Sequence, residues 1–324
     1  MPITSGAVWR AADVGPPVSW TYTLDEAARD AIVDTVGRMR ARGVSIDSIV
    51  RSDLDGAGLG ALIADWTREL QQGRGFLLVR GFPVEHLDSE AVELAYTALG
   101  VQLGRPVSQD AHGTLLGHVR DRGVPRTTPA VRRYATKERQ DFHTDGADII
   151  GLLCLQRARR GGESRIVSAA SVYNEILRRD PGALEVLYAP MYWDRNDEQG
   201  RGEDPFYALP VLHDVDGRPR FFYIGWYIRD AQRHSALPRL TPEQLAAMEL
   251  IEDIASDPEF HVEMDFQPGD IQLLNNSVIL HAREAYEDHP EASRRRHLLR
   301  LWLAAYDFAA VEDTLRDGIP VRDS

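Results

Sequence analysis

The sequence predicts a mainly β protein with flanking helices, and two observations lead to that prediction. Helical patterns occupy most of residues 24–103, whereas short apolar and aromatic strands separated by turn residues concentrate after residue 140. No internal repeat, linker or low-complexity segment divides these two parts of the chain. We therefore predict one domain over residues 1–324, in which a helical N-terminal segment of about 1–74 packs on the β core.

The helices in the first part are predicted from apolar spacing and from stop signals. Residues 24–43 place apolar side chains at helical spacing and end at Gly43, and Gly73-Arg74-Gly75 separates a second helix from an apolar strand. These patterns predict helices at 24–43, 58–71 and about 88–103, and a strand at 76–80. Residues 108–140 show little periodicity over a long stretch, which predicts a functional loop or a lid.

Strands dominate the rest of the chain, with helices between them. Thr241-Pro242 is a typical helix start, and Pro181 divides two helical patterns. Short aromatic strands between turn residues predict an antiparallel sheet with an aromatic face over 191–228. The predicted helices are 170–179, 183–189 and 241–256, and the predicted strands are 148–155, a segment near 164–167, 191–193, 206–209, 221–224, 259–264, 271–275, 278–282 and 297–305.

The composition argues against several classes of function. With 37 Lys and Arg against 50 Asp and Glu, the formal charge of −13 argues against binding to nucleic acid or anionic membranes. The first residues contain no signal sequence, and no apolar run reaches the roughly eighteen residues of a membrane span. The single cysteine, Cys154, lies in an apolar run, which predicts a core residue and no internal disulfide. We expect a cytoplasmic protein, either monomeric or a homo-oligomer.

A histidine and a carboxylate two residues apart are the first candidates for chemistry. His143 and Asp145 lie in a segment that is predicted to be extended, where side chains two residues apart share a face. Both could bind one cation, and imidazole with carboxylate suits Fe(II) when a second histidine completes the set. The alternative is a surface strand that carries two polar residues.

Polar residues near the C-terminus are the second group of candidates. His281 ends an apolar strand that follows the turn Pro268-Gly269-Asp270, where a histidine is either a ligand or a buried rim residue. Arg296 and Arg300 belong to the last predicted strand, and strand alternation places both on one face. Two arginines buried on a mostly apolar strand require anionic partners.

These motifs, taken in chain order, resemble a known enzyme family. The order is His-X-Asp, Gly-Gly-Glu-Ser at 161–164, the Pro-Gly-Asp turn with its distal His281, and Arg-X-X-X-Arg at 296–300. It resembles the taurine dioxygenase (TauD/TfdA) family of iron(II)- and 2-oxoglutarate-dependent oxygenases over roughly residues 75–303. The resemblance implies a distorted double-stranded β-helix, which belongs to the jelly-roll class of folds.

The resemblance also implies roles for individual residues. His143, Asp145 and His281 match the iron ligands of the family. Arg296 matches the arginine that pairs with the distal carboxylate of 2-oxoglutarate, a task that suits planar bidentate geometry. Ser164 replaces the usual threonine of Gly-Gly-(Asp/Glu)-Thr, and its hydroxyl could bond the same carboxylate.

Two further arginines, Arg300 and Arg295, are also candidates for the site. Arg300 matches the position that contacts the substrate's anionic group in members with such substrates, and the alternative is a structural ion pair. Extra charged residues before Arg296 loosen the register, so Arg295 is a fallback for Arg296, although alternation places it on the opposite face.

The implied activity is that of a dioxygenase that uses Fe(II), 2-oxoglutarate and O2. It hydroxylates a small organic substrate, which we expect to be anionic, and releases succinate and CO2; cleavage or desaturation could follow. The carboxylate ligand Asp145 argues against a related halogenase, where halide takes that position. Two alternatives remain open at this point: a zinc-type hydrolase with the same ligands, and a non-catalytic β-helix binding module.

Four aromatic residues after residue 190 are candidates for the wall of a substrate pocket. Trp193, Tyr207, Tyr223 and Tyr227 lie in or beside the short aromatic strands. Aromatic strand faces also form cores, so either role is open for these residues.

Overall fold

Two stacked β-sheets form the centre of the computed structural model, and helices cover their outer faces. The structure describes residues 1–124, 132–215, 217–306, 308 and 318–321. The helices are α1 Glu26–Ala41, α2 Gly60–Gln72, α3 Ser89–Leu103, α4 Ala169–Arg179, α5 Pro181–Tyr188, α6 Gly225–Asp230 and α7 Pro242–Ser256. The strands are β1 Thr21–Thr23, β2 Phe76–Arg80, β3 Gly104–Pro106, β4 Leu116–Val119, β5 Gln140–His143, β6 Ile149–Gln156, β7 Arg160–Gly161, β8 Ser164–Ser168, β9 Met191–Asp194, β10 Phe206–Leu209, β11 Leu212–Val215, β12 Arg218–Phe221, β13 His261–Met264, β14 Ile271–Asn275, β15 Ile279–Arg283, β16 Tyr286–Glu287 and β17 His297–Ala305.

The larger of the two stacked sheets is built around the last strand of the chain. Its order in the described part of the chain is β1-β2-β14-β6-β17-β3, and β4 also pairs with β17. All of its pairs are antiparallel except β1 with β2. The smaller sheet has the order β13-β8-β15-β5 and is antiparallel throughout.

Strand alternation divides the apolar side chains among three cores. Along β17, Leu299, Leu301 and Leu303 face helices α1 to α3, whereas Leu298 and Trp302 face the smaller sheet. The second face of the smaller sheet packs on α4, α5 and α7. Because successive side chains point to opposite faces, a single strand can serve two cores while placing polar residues between the sheets. The space between the sheets therefore receives His281 from β15 and Arg300 from β17.

The predicted mainly β architecture with flanking helices is confirmed, and most elements lie within a few residues of their predicted bounds. Asp25, Asp88 and Thr241 cap α1, α3 and α7 through their side chains, as residues of these types do at helix starts. Cys154 is buried, as predicted. Among the described residues, none of the helices combines the length and apolarity that a membrane span requires.

Two predictions about the region 191–228 were wrong, namely that it forms one antiparallel sheet and that 221–224 is a strand. The aromatic region 191–228 forms two separate hairpin pairs, β9 with β10 and β11 with β12, and the chain after Phe221 leaves the strand and enters α6. All four residues of 221–224 are buried, so packing on every side overrides their strand propensity. The predicted loop 108–140 contains β4, and its residues 125–131 lie outside the described residues.

Candidate active site

Three side chains with metal-ligand chemistry meet between the sheets. His143 ends β5, His281 lies opposite it on β15, and Asp145 follows two residues after His143. One ligand atom from each residue lies within 4.8 Å of those of the other two. All three residues are buried. The strand ends at His143, so Asp145 reaches the group from the following turn and not, as predicted, from the strand.

Asn276 holds that turn in place. Its side-chain oxygen accepts a hydrogen bond from the Asp145 backbone N–H at 2.9 Å, and its amide nitrogen donates to the carbonyls of Asp145 and Ala147 at 2.6 and 2.7 Å. Asn276 lies between β14 and β15, so the connection that precedes His281 also positions Asp145. In the sequence, Asn276 stands out only as one of two adjacent asparagines that interrupt an apolar run.

Hydrogen bonds to the outer atoms of His143 and Asp145 orient these two residues. The Nδ1 atom of His143 is 2.8 Å from the carbonyl of Asp141. Because a carbonyl only accepts, Nδ1 carries the proton and Nε2 is free for a metal. The Oδ2 atom of Asp145 accepts from Nε1 of Trp302 at 3.0 Å and from Nη1 of Arg300 at 3.2 Å.

The protonation states of the group suit a divalent metal. Burial, reinforced by neighbouring His281, lowers the pKa of His143 to about 3, and burial also lowers the pKa of His281. Burial acts to raise the pKa of Asp145, but Arg300 first and then the two histidines outweigh it and bring the pKa to about 2. Two neutral imidazoles and one carboxylate are the forms that bind metal, and this set suits Fe(II).

Arg296 and Ser164 line a narrow cavity beside the three residues. Both side chains are buried, and the same cavity is lined by His143, Asp145 and His281. The Nη2 atom of Arg296 donates to the carbonyl of Gly162 at 3.3 Å, whereas Nη1 has no hydrogen-bond partner among the described residues. A buried guanidinium N–H without a partner is costly, so this position fits a carboxylate ligand.

Two other candidate arginines, Arg295 and Arg300, lie in different surroundings. Arg295 is exposed, whereas Arg296 and Arg300 are buried. Arg295 and Arg296 precede β17, so the predicted strand alternation does not extend to them. Arg300 donates from Nε to Oε1 of Gln109 at 2.8 Å in addition to its bond with Asp145. Asp145 meets the charge of Arg300, as the structural ion-pair alternative predicts, so burial of Arg300 does not by itself require an anionic substrate.

A larger cavity of about 720 Å³ opens beside the candidate metal ligands. Its polar lining includes the arginines 132, 133, 195 and 300, and the acids Asp145, Asp194 and Glu198. Its aromatic lining consists of Tyr134, Tyr207, Phe222, Trp226, Tyr227 and Trp302. Of the four aromatic candidates, Tyr207 and Tyr227 line this cavity, whereas Trp193 and Tyr223 are fully buried core residues. The cavity is large enough for a small organic molecule.

Sequence reasoning missed several residues that complete the site. Gln109 donates from Nε2 to the carbonyls of Arg300 and Leu115 at 2.8 and 2.9 Å, which ties the 108–140 segment to β17. Trp302 on β17 donates to Asp145, and no sequence pattern marks it as a partner of that carboxylate. No local pattern marks a glutamine as the partner of an arginine 191 positions away.

A family model described as "Taurine catabolism dioxygenase TauD, TfdA family" matches residues 42–302. The chain belongs to the TauD/TfdA family. It is 34% identical over 306 residues to FR-33289 synthase of Streptomyces rubellomurinus (strain ATCC 31215), covering 93% of this chain and 90% of that protein. It is 29% identical over 258 residues to uridine-5′-phosphate dioxygenase of a Streptomyces species, covering 73% of this chain and 88% of that protein.

A solved structure has the same fold as this TauD/TfdA family member. Asparagine oxygenase, in complex with Fe(II), 2S,3S-3-hydroxyasparagine and succinate, superimposes with a TM-score of 0.68 at 17% identity and covers 94% of this chain and 100% of that one. The predicted double-stranded β-helix fold is therefore confirmed. By its family, the protein is a dioxygenase that uses Fe(II), 2-oxoglutarate and O2, as the resemblance implied.

Proposed function

We propose that the protein hydroxylates a small anionic organic substrate at an iron centre held by His143, Asp145 and His281. The observation that carries this proposal is the buried group of two neutral imidazoles and one carboxylate, with ligand atoms within 4.8 Å of one another. A facial set of this kind leaves coordination positions free for cosubstrate and O2. The adjoining cavity of about 720 Å³ provides room for the substrate.

Arg296 and Ser164 hold the distal carboxylate of 2-oxoglutarate in this proposal. The unpartnered Nη1 of buried Arg296 supports it, because a charge-assisted bond to a carboxylate satisfies that atom. The hydroxyl of Ser164 lies 3.0 Å from Nε2 and 3.2 Å from Oε1 of Gln272 and lines the same cavity. Bound at this centre, iron couples the oxidative decarboxylation of 2-oxoglutarate by O2 to hydroxylation of a substrate C–H bond, with release of succinate and CO2.

The remaining residues of the site orient the ligands and limit access of water. Trp302 and Arg300 hold one oxygen of Asp145, and the carbonyl of Asp141 fixes the tautomer of His143. Trp226 packs edge-on against the His143 ring, with 4.8 Å between ring centroids. Fixed ligands and apolar walls favour reaction with substrate over side reactions with water.

An anionic substrate is supported by the lining of the larger cavity. Arg300 reaches this cavity as well as the narrow one, so we propose that its guanidinium contacts the anion while one N–H stays on Asp145. Arg195 is a second basic residue on this wall, and its buried Nε has no hydrogen-bond partner in the described part of the chain. One relative, uridine-5′-phosphate dioxygenase, is named after a phosphate ester, which is an anion.

Succinate release is the test of the reaction class. The Fe(II)-loaded protein, supplied with 2-oxoglutarate and O2, is screened with small carboxylates, sulfonates, sulfates and phosphonates, and with neutral and cationic analogues. We expect substrate-stimulated succinate release that is confined to anions and is lost in His281→Ala. Zinc-dependent hydrolysis without succinate would indicate the hydrolase alternative, and binding without turnover would indicate the binding module.

The role of Arg300 is tested separately with the best substrate from that screen. Arg300→Lys keeps the charge but loses the planar geometry, and we expect it to raise the substrate KM much more than the 2-oxoglutarate KM. Arg295→Lys on the exposed side is the matched control. An unchanged substrate KM in Arg300→Lys, combined with weaker iron binding, would assign Arg300 to Asp145 alone.

A further inference from the structure

A third arginine, Arg283, lines the narrow cavity together with Arg296 and Arg300. Arg283 is two residues after His281 on β15, so the two side chains share the strand face that points between the sheets. It lies directly opposite Ser164 in the pairing of β15 with β8. Arg283 is 5% exposed, and it lines the same cavity as His281, Ser164 and Arg296.

Only one edge of the Arg283 guanidinium is occupied by the protein. Its Nη2 atom donates to the carbonyls of Thr136 and Glu138. Its Nε and Nη1 atoms are buried and have no hydrogen-bond partner among the described residues. Arg283 thus has the same property as Arg296, namely buried N–H groups that no acceptor of the described residues satisfies, and such groups are costly unless a ligand meets them.

The two guanidinium groups line one cavity and contact one tyrosine ring, and among the described residues their acceptors are carbonyls. The Cζ atoms of Arg283 and Arg296 lie 5.1 and 5.0 Å from the centroid of the Tyr286 ring. No carboxylate of the described residues accepts a hydrogen bond from either guanidinium. Burial first, and then the charge of Arg296, lower the pKa of Arg283 to about 10, which is the direction expected for two like charges without a counter-ion.

We propose that Arg283 and Arg296 together form a two-arginine site for the distal carboxylate of 2-oxoglutarate. This inference rests on the proposed function and adds a binding residue that the family motifs did not supply. The bonds from Nη2 to the carbonyls of residues 136 and 138 hold the guanidinium in one orientation before the cosubstrate arrives. A fixed donor loses little entropy on binding, so Arg283 adds selectivity for a dicarboxylate over a monocarboxylate.

Anaerobic binding to the Fe(II)-loaded protein tests the inference without any need for turnover. The dissociation constants of 2-oxoglutarate and of 2-oxobutyrate, which lacks the distal carboxylate, are measured from the visible charge-transfer band and by calorimetry. We expect Arg283→Met to raise the Kd of 2-oxoglutarate roughly 10- to 100-fold, because a buried charge-assisted contact is lost. The Kd of 2-oxobutyrate should stay essentially unchanged.

Matched variants separate the possible outcomes. Arg296→Met should behave like Arg283→Met, the exposed Arg295→Met should behave like the wild type, and Arg283→Lys should be intermediate because it retains the charge. An equal loss of affinity for both oxoacids in Arg283→Met would overturn the inference and assign Arg283 to the 136–138 segment alone. An unchanged Kd for 2-oxoglutarate would also overturn it.

Failure of the underlying function has a different signature. If the wild-type protein binds neither oxoacid in the presence of Fe(II), the proposed function itself is wrong. If the wild type binds 2-oxoglutarate and Arg296→Met weakens it while Arg283→Met does not, only the two-arginine site is wrong. Thermal unfolding of each variant in the absence of oxoacid shows whether it is folded.

Discussion

Asp145 shows most clearly how single residues act together in this site. Its Oδ2 atom is shared by Trp302 and Arg300, while Oδ1 is 3.9 Å from Nε2 of His143. An unpaired carboxylate in this buried position would be destabilised, and the two donors keep it ionised and oriented. Arg300 is therefore a structural partner of a candidate ligand as well as a candidate for substrate contact.

Loss of the indole N–H should weaken iron binding. Trp302→Phe keeps most of the packing but removes the 3.0 Å bond to Asp145. Loss of a bond to a metal ligand typically costs roughly 10- to 100-fold in affinity. We expect that loss in an anaerobic Fe(II) titration. Trp193→Phe is the control, since its buried Nε1 donates at 2.8 Å to the carbonyl of Leu209, away from the site. Equal iron affinities in the two variants would contradict this role for Trp302.

At the scale of elements, the turn between β7 and β8 positions the Arg296 side chain. Gly162 has a φ of +83°, and a Cβ added there would lie 3.0 Å from Nε of Arg296 and 3.2 Å from Cβ of Tyr286. Glycine adopts this left-handed conformation without steric cost, whereas other residues are strained. The Gly-Gly pair that begins the 161–164 motif therefore allows the guanidinium to approach the backbone closely.

Gly162→Ala should impair 2-oxoglutarate binding through Arg296. We expect a loss of stability of about 1 kcal/mol from backbone strain and a clear rise in the Kd of 2-oxoglutarate from displacement of Arg296. Gly202→Ala is the control for backbone strain alone, because Gly202 has a φ of +84° and open space around the added Cβ. Chemical denaturation and anaerobic binding measure the two effects. A Kd that changes equally in both variants would refute the proposed contact.

Helix α4 carries an ion-pair cluster that includes Arg10 of the N-terminal segment. The same helix packs on the smaller sheet. Glu175 on this helix pairs with Arg178 and Arg179, and also with Arg10 at 3.2 Å. The hydrogen bond from Arg178 is the largest cause that lowers the pKa of Glu175 from 4.5 to about 2. Because the folded pKa is depressed, the stabilisation is present above about pH 4.5 and is lost as the pH falls toward 2.

Glu175→Gln should therefore remove a pH-dependent part of the stability. We expect the variant to be less stable than the wild type by about 1 kcal/mol at neutral pH, since solvent screens these partly exposed pairs. The difference should shrink as the pH is lowered below 4.5. Urea denaturation across the acidic range measures this difference, and Glu185→Gln at an exposed position of α5 is the control. A difference that is constant with pH would rule out the ion pairs as its cause.

At the scale of the whole molecule, hydrogen bonds to Asp145 connect the two sheets. His143 and His281 belong to the smaller sheet, whereas Arg300 and Trp302, which donate to Asp145, belong to the larger one. The group of His143, Asp145 and His281 that would hold a metal is assembled in the folded state only. The binding energy of such a metal adds directly to the free energy of unfolding.

Removal of the metal should consequently lower the melting temperature. At a free ligand concentration 100 times its Kd, binding stabilises the folded state by about 2.7 kcal/mol, which corresponds to several degrees. We expect a chelator to abolish this increment in anaerobic thermal unfolding and Fe(II) with 2-oxoglutarate to restore it. Asp145→Ala should show no response to either treatment. An equal shift in that variant would place the stabilising metal elsewhere.

Local chemistry made much of this protein predictable from its residues alone. Helix caps, turn glycines and apolar periodicity are properties of neighbouring residues, so α1, α3, α7 and β2 could be located without tertiary information. The spacing of the Arg-X-X-X-Arg motif is equally local, and it selected buried Arg296 over exposed Arg295. The motif order sufficed to place the chain in its family, because each motif depends on a few adjacent positions.

Long-range contacts decided the rest. Hydrogen bonds from Arg300 to Asp145, from Asp145 to Asn276 and from Arg300 to Gln109 join residues more than 130 positions apart, and no periodicity encodes such partners. The aromatic hairpins and the turn into α6 depended on packing from all sides, which overrides strand propensity. Sequence alone determined which residue types are available to the site. Burial between the two sheets determined which charges are already paired and which N–H groups remain for a ligand, because pairing depends on distance in space.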